Sequence, residues 1–173
     1  MPARYNIAHE VCDKHTGLTD ATALYCDNVA AERSTFTFGQ LTSLSNAFAN
    51  VLRGLGVERG DRVAIVLSQR AETAIAHLAA YKLGAVALPM SILFGPDALE
   101  YRLRDSETRL AITDSAHLAV IAELRAELPE LQALIGCDDA PHGNGFWQLL
   151  DKASDRFEPV PTAADDPALL IYT

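Results

Sequence analysis

Cysteine is scarce: Cys12, Cys26 and Cys137 are the three in 173 residues, far apart and never in a C-x-x-C pair. That excludes a disulfide framework and a thiolate zinc site, and predicts buried thiols in a reducing cytosol. Positive charge is also short, with 14 Lys+Arg against 23 Asp+Glu and a formal net charge of −9. Such a deficit opposes an electrostatic grip on nucleic acid or anionic lipid. Long apolar runs are missing too. The uncharged stretch 83–96 is broken by Pro89 and falls short of the roughly 20 apolar residues that a membrane-spanning helix needs. Residues 1–6 carry one Arg with no apolar run behind it, unlike a secretory signal. A cytoplasmic protein with no membrane span and no nucleic-acid partner is expected. What remains, 49% hydrophobic, 7% aromatic and 21% charged, is the makeup of a folded domain with one core.

Periodicity predicts alternating elements. Ile7, Val11 and His15 stand at helical spacing, and Ala23-Leu24-Tyr25-Cys26 with Ser34-Thr35-Phe36-Thr37-Phe38 read as two strands of a short β-hairpin. Thr37 followed by Gln40 is a capping box, opening a helix whose apolar stripe is Phe38, Leu41, Leu44, Phe48, Val51, Leu52 and Leu55 and which Gly54 and Gly56 end. Residues 62–67 are nearly all apolar without alternation, the pattern of a parallel strand covered on both faces. A helix over 71–83 stopped by Gly84, a strand over 85–89 and a helix entered through Gly95-Pro96 follow. Next come a strand over 109–113, a helix capped by Ser115 and closed by Pro129, and a strand over 131–137. A loop over 138–146, a short helix over 146–153 and an extended segment over 154–167 lead to a last buried strand, 168–173. Repeated β-α-β units imply an α/β fold, a mostly parallel, helix-covered sheet. An apolar strand ending at Thr173 leads to the expectation that 1–173 is a truncated piece of a larger fold.

Chemistry-bearing clusters have bland counterparts. The glycines 54, 56 and 60 follow a helix and precede a strand, whereas a phosphate cradle follows a strand and opens a helix, so they read as a turn. His9, His15, His77, His117 and His142 have no second ligand at helical metal spacing. His77 therefore reads as packed, and Asp165-Asp166 as a solvated acidic loop. Arg102, Arg104 and Arg109, with Arg59 and Arg62, stand among Glu100, Asp105 and Glu107 and read as a salt-laced surface. No catalytic set emerges, and residue chemistry alone leaves a scaffold.

Three stretches carry a resemblance: Thr37-Phe38-Gly39-Gln40-Leu41, then Tyr81-Lys82-Leu83-Gly84-Ala85-Val86-Ala87-Leu88-Pro89-Met90, then Leu169-Leu170-Ile171-Tyr172-Thr173. In this order and spacing they resemble the opening third of adenylate-forming enzymes, the superfamily of acyl-CoA synthetases, luciferases and peptide-synthetase adenylation domains. Ala3-Arg4-Tyr5-Asn6-Ile7-Ala8 with Val11-Cys12 is similar to the start of acyl-CoA synthetases acting on short- or medium-chain carboxylates. The resemblance implies a two-step reaction: carboxylate and ATP, with Mg²⁺, give acyl-AMP and pyrophosphate, and CoA then takes the acyl group as a thioester. It implies that Thr173 opens the phosphate loop and that Phe94 and Gly95 lie near the CoA nucleotide. Arginines that help hold CoA in such relatives have no match in Ser115-Ala116-His117-Leu118-Ala119-Val120. The rest of the phosphate loop, the metal-binding glutamate and the mobile C-terminal domain lie beyond residue 173 in that family. The expected partners are thus a small carboxylate and the remainder of the same AMP-binding domain, with possible self-association, and residues 1–173 alone are expected to be inactive. The rivals are a stand-alone α/β interaction module and a dehydrogenase fragment, the latter opposed by the missing glycine fingerprint.

Overall fold

The computed structural model describes residues 4–18, 20–27, 34–138 and 144–173. The first helix, α1 (Ile7–Val11), is capped by Asn6, whose Oδ1 accepts from the Ala8 amide at 3.0 Å and whose Nδ2 donates to the carbonyls of Tyr81 (2.7 Å) and Val160 (3.0 Å). The helix breaks at Cys12, and a 3-10 turn, Asp13–His15, follows. The predicted Ile7/Val11/His15 stripe is not the inner face: Val11 is 53% exposed, while Ala8 and Cys12 are buried. A helix of 5 residues is too short for periodicity to choose a face.

Strands β1 (Thr22–Cys26) and β2 (Ser34–Thr37) pair antiparallel, as predicted, and the residues joining them at 28–33 lie outside the described residues. Helix α2 (Phe38–Gly54) opens on the capping box: the Gln40 amide donates to Thr37 Oγ1 at 3.2 Å and the Thr37 amide to Gln40 Oε1 at 2.9 Å. The main units are β3 (Arg62–Val66), α3 (Ala71–Leu83), β4 (Val86–Pro89), α4 (Pro96–Asp105), β5 (Thr108–Thr113) and α5 (Ser115–Glu123). Then come β6 (Ala133–Gly136), β7 (Asn144–Gly145) and α6 (Phe146–Leu150). All five strands of the larger sheet run parallel in the order β4-β3-β5-β6-β7.

The double coverage expected of β3 is visible residue by residue. Val63 and Ile65, with Leu110 and Ile112 of β5, pack toward α2 and α3, while Ala64, Val66 and Ala111 pack toward Leu99, Leu103 and Ile121 of α4 and α5. Gly84 ends α3 at φ +72°, and a Cβ there would meet Arg59 Cγ and Thr162 Cγ2 at 3.2 Å, so both backbone and space require glycine. Among the described residues no helix is long and apolar enough to cross a membrane.

Four expectations need correction. Asp114, not Ser115, caps α5, its Oδ1 accepting from the His117 amide at 2.9 Å; a carboxylate one residue earlier reaches the free amides and suits the positive helix end. Asn144 and Gly145, expected in a loop, pair with β6. Residues 168–173 form no buried strand: a single parallel bridge joins Leu169 to Ala87, through Ala87 N to Ala168 O at 2.9 Å and Leu170 N to Ala87 O at 3.0 Å. Leu169 and Ile171 are 46% and 59% exposed, because the segment lies against the outer edge of β4 with no neighbour on its far side among the described residues. Finally, Cys12 and Cys137 are buried but Cys26 is only partly so.

Candidate active site at the carboxyl end of the sheet

In an open parallel sheet, ligands bind beyond the carboxyl ends of the strands, where loops and helix N-termini converge. Here the turn after β4 spans Ser91 to Gly95. The Phe94 amide donates to Ser91 O at 3.2 Å, the Leu93 amide to Ser91 Oγ at 3.1 Å, and Leu93 itself is 88% exposed. Phe94 precedes the N-cap of α4 and packs on the cluster containing Leu99, a hydrophobic staple. Gly95 is that N-cap. It offers no side chain to the first helical amides, its φ of −75° suits any residue, and a Cβ there would meet open space. Nothing among the described residues requires glycine at 95, where Ser or Asp would cap better.

His117, in the first turn of α5, spans two loops. Its Nδ1 lies 2.8 Å from Asp114 Oδ1 and its Nε2 3.0 Å from Ile92 O, so its ring fastens the turn after β4 to the turn after β5. Arg102 of α4 holds the same turn from the other side. Its guanidinium carbon sits 4.2 Å from the Phe94 ring centroid and 5.6 Å from that of Tyr172, within cation–π range. The Tyr172 hydroxyl donates to Asp105 Oδ2 at 2.6 Å, and burial, then Asp105, push that phenol up to about 12. Phe94 and Tyr172, nearly eighty residues apart, are thereby joined through one side chain. Thr173, the next residue, is exposed and makes no side-chain hydrogen bond to the described residues.

A second arginine, Arg70, follows β3 and is held by two carboxylates. Nε and one Nη donate to the two Glu72 oxygens at 2.8 Å each, and the other Nη donates to Asp138 Oδ1 at 2.9 Å. Trp147 Nε1 adds a bond to Glu72 Oε1 at 2.9 Å, and the Ser115 amide donates to Asp138 Oδ2 at 3.1 Å. Burial pulls Glu72 upward, but Arg70, a backbone amide and Trp147 outweigh it and leave its carboxyl below the usual range. Arg70 and His77 line an open hollow of about 1080 Å³ with Ser68, Met90 and the tip of β1. His77 Nδ1 is 3.1 Å from the Tyr81 hydroxyl, and burial lowers the histidine's pKa, in keeping with a packed residue.

The remaining candidates are structural. Gly56 (φ +83°) terminates α2, with the Val57 amide on Leu52 O at 3.0 Å, so the glycine cluster is a helix end. Arg59 pairs with Asp166, Arg62 with Glu107 at 3.1 Å, Arg104 with Glu100 at 2.8 Å and Arg109 with Asp61 at 4.0 Å. Arg102 is the exception to the salt-laced pattern, with no carboxylate partner among the described residues. Asp166 also accepts from the Ala163 amide at 2.9 Å, which makes it a clip rather than a free carboxylate. No cluster of metal-ligating side chains occurs among the described residues, and His142 lies outside them. Of the residues expected from sequence, Phe94 and Gly95 form one turn, and Thr173 adjoins the tyrosine that shares Arg102 with Phe94. Arg102, Tyr172 and His117 were not anticipated in these roles; Asp114-x-x-His117 has N-cap spacing and carried a signal, whereas a stack over three distant segments carries none.

The family described as AMP-binding enzyme matches residues 13–173. The chain is 32% identical over 160 residues to the 3-hydroxybenzoate–CoA/4-hydroxybenzoate–CoA ligase of Thauera aromatica, covering 91% of this chain and 30% of that protein. It is 31% identical over 194 residues to the acetyl-coenzyme A synthetase of Magnetococcus marinus, covering 99% of this chain and 30% of the relative. The fold superposes on the anthranilate CoA ligase AuaEII in complex with anthranoyl-AMP with a TM-score of 0.89, at 26% identity, over 100% of this chain and 32% of that one. The chain thus spans less than a third of the length of these relatives.

Proposed function

The chain belongs to the AMP-binding enzyme family, and from that premise we propose that it is the N-terminal subdomain of an AMP-forming acyl-CoA synthetase. The complete enzyme joins a carboxylic acid to ATP, releasing pyrophosphate, and passes the acyl group from AMP to the thiol of CoA. The observation that carries this reading is the match over residues 13–173 to a family whose relatives include CoA ligases, one of them seen with an acyl-adenylate. The carboxyl end of the sheet supports it.

Within that reaction Thr173 supplies the first hydroxyl of the phosphate loop, and the backbone after Tyr172 leads to ATP. The Phe94–Gly95 turn contacts the CoA nucleotide, and the free space at Gly95 with the uncapped amides of α4 suits the approach of a phosphate-bearing group. The region of α5 where relatives have CoA-binding arginines holds His117 instead, and His117 is engaged by Asp114 and Ile92. This segment therefore grips CoA through the turn alone. Charge builds on phosphate oxygens during adenylation. By the family resemblance, the metal-binding glutamate, the adenine pocket and the acyl pocket belong to the rest of the enzyme. That remainder packs over exposed Leu93, Tyr101, Leu169 and Ile171. The three free thiols fit a cytoplasmic location.

The gene beyond the codon for Thr173 tests this. A serine-glycine-threonine-threonine-glycine run with a following proline-lysine-glycine in frame is expected, and a different continuation would remove the adenylation reading. Purified 1–173 is expected to form no acyl-adenylate, and ATP-dependent adenylate formation by it would contradict the division of labour.

A further inference from the structure

We propose that Arg102 is a positioning residue that couples the Phe94–Gly95 turn to the Tyr172–Thr173 segment, so that a change at one alters the other. The inference rests on the adenylating reading above and adds to it a link between its two ligand contacts.

Arg102 has no carboxylate within ion-pair distance among the described residues, and its Nε is buried without a hydrogen-bond partner. One Nη donates to Ala98 O at 3.0 Å, a bond inside its own helix. Beyond α4, what holds the guanidinium is the face of Phe94 and the face of Tyr172, and neither ring belongs to a regular element. The turn is anchored by one backbone bond, one bond to the Ser91 hydroxyl, the His117 contact and the packing of Phe94 on the Leu99 cluster; the tail is anchored by one bridge to β4, the Tyr172 hydroxyl and the packing of Leu170 and Tyr172 on the same cluster. Irregular segments at a sheet edge shift at lower cost than core strands. A planar cation touching both rings is then a large part of what fixes each, and displacement of one ring moves the cation that the other reads. Tyr101 adds an edge contact to Tyr172 at 6.4 Å, widening the stack on the tail side. Coupling of this kind is reciprocal between two sites.

Carboxylate-dependent exchange of pyrophosphate into ATP reads the Tyr172–Thr173 side alone, because it proceeds without CoA. In the full-length polypeptide, Phe94→Leu keeps the apolar staple to Leu99 but removes the aromatic face. It should lower exchange kcat/KM for ATP about 3- to 10-fold, the scale of one cation–π contact. Arg102→Met should lower it at least as much, and the double variant should be no worse than Arg102→Met alone. Arg102→Lys, which keeps the charge and loses the plane, repeats the cycle if the Met variant folds poorly. An unchanged exchange rate in Phe94→Leu, or effects that simply multiply in the double variant, would overturn the coupling. Amide hydrogen exchange in the same polypeptide gives a readout independent of catalysis: Arg102→Met should speed exchange at both Phe94–Gly95 and Tyr172–Thr173, and an effect confined to one segment overturns the link. Absence of pyrophosphate exchange in the unmodified enzyme with every acid tested would instead strike the adenylation reading.

Discussion

Two arginines at the same end of the sheet have opposite surroundings. Arg70 spends its guanidinium on Glu72 and Asp138, and the carboxylates are in turn bonded by Trp147 and by the Ser115 amide. Arg102 lies between two rings with one donor unsatisfied. A cation held by two carboxylates fixes its neighbours and leaves little for a ligand to change. A ring-held cation fixes less, and its neighbours respond to one another. The contrast extends to the two sides of the sheet: the α2/α3 side encloses the Lys82–Asp13 ion pair, whereas the α4 side ends in the exposed Leu93, Leu169 and Ile171.

The largest expected effect is on the α2/α3 side. Lys82 is fully buried, 2.8 Å from Asp13 and 2.6 Å from Asn46 Oδ1, and burial lowers its pKa. Asp13→Ala strands that cation and should cost about 3–5 kcal/mol in urea unfolding, and Lys82→Met, which removes the charge itself, should cost clearly less. Equal costs would mean that the ion pair is not what the α2/α3 side depends on.

Glu72→Gln at the Arg70 node should cost about 2–3 kcal/mol near neutral pH. Its folded carboxyl titrates below the ordinary value of 4.5, so its stabilisation is complete above about pH 4.5 and lost as pH falls through the lowered folded value. The variant should thus show a flatter acid limb in stability measured from pH 6 downward, and an unaltered limb would deny the node its role. Arg102→Met should cost only about 1 kcal/mol in the same assay, the worth of a partly exposed cation–π pair. A cost matching Glu72→Gln would erase the distinction between the two arginines. Smallest in stability, within about 0.5 kcal/mol, is Leu93→Ser. It should nonetheless reduce concentration-dependent association of 1–173 in sedimentation velocity, as should Ile171→Ser, because both remove exposed apolar surface.

Much of the fold was legible from residue patterns because local rules and packing agreed. The unbroken apolar run of β3 needed two covered faces, Thr37 and Gln40 needed a helix start, and Gly84 needed a left-handed residue. Where elements were short or at an edge, the patterns misled. Ile7, Val11 and His15 span too few turns to define a face. The run Leu169-Leu170-Ile171 is as apolar as a central strand, yet lies at the sheet edge with alternate residues exposed, since composition does not say how many neighbours a strand has. The proposal that Phe94, Gly95 and Thr173 meet ligands comes from resemblance to a family, not from residue patterns. Arg102 was read as one more surface charge, because its partners are aromatic and come from residues 8 and 70 positions away. His117 was read as a lone histidine, because the carbonyl it reaches belongs to another loop.

The most direct test of the central claim is carboxylate-dependent ATP–pyrophosphate exchange by the full-length polypeptide, over a panel of aliphatic and aromatic acids, followed by addition of CoA. Exchange that requires one of the acids, then AMP and an acyl-CoA thioester once CoA is present, is the predicted result. No exchange with any acid, or release of ADP and phosphate in place of AMP and pyrophosphate, would contradict it.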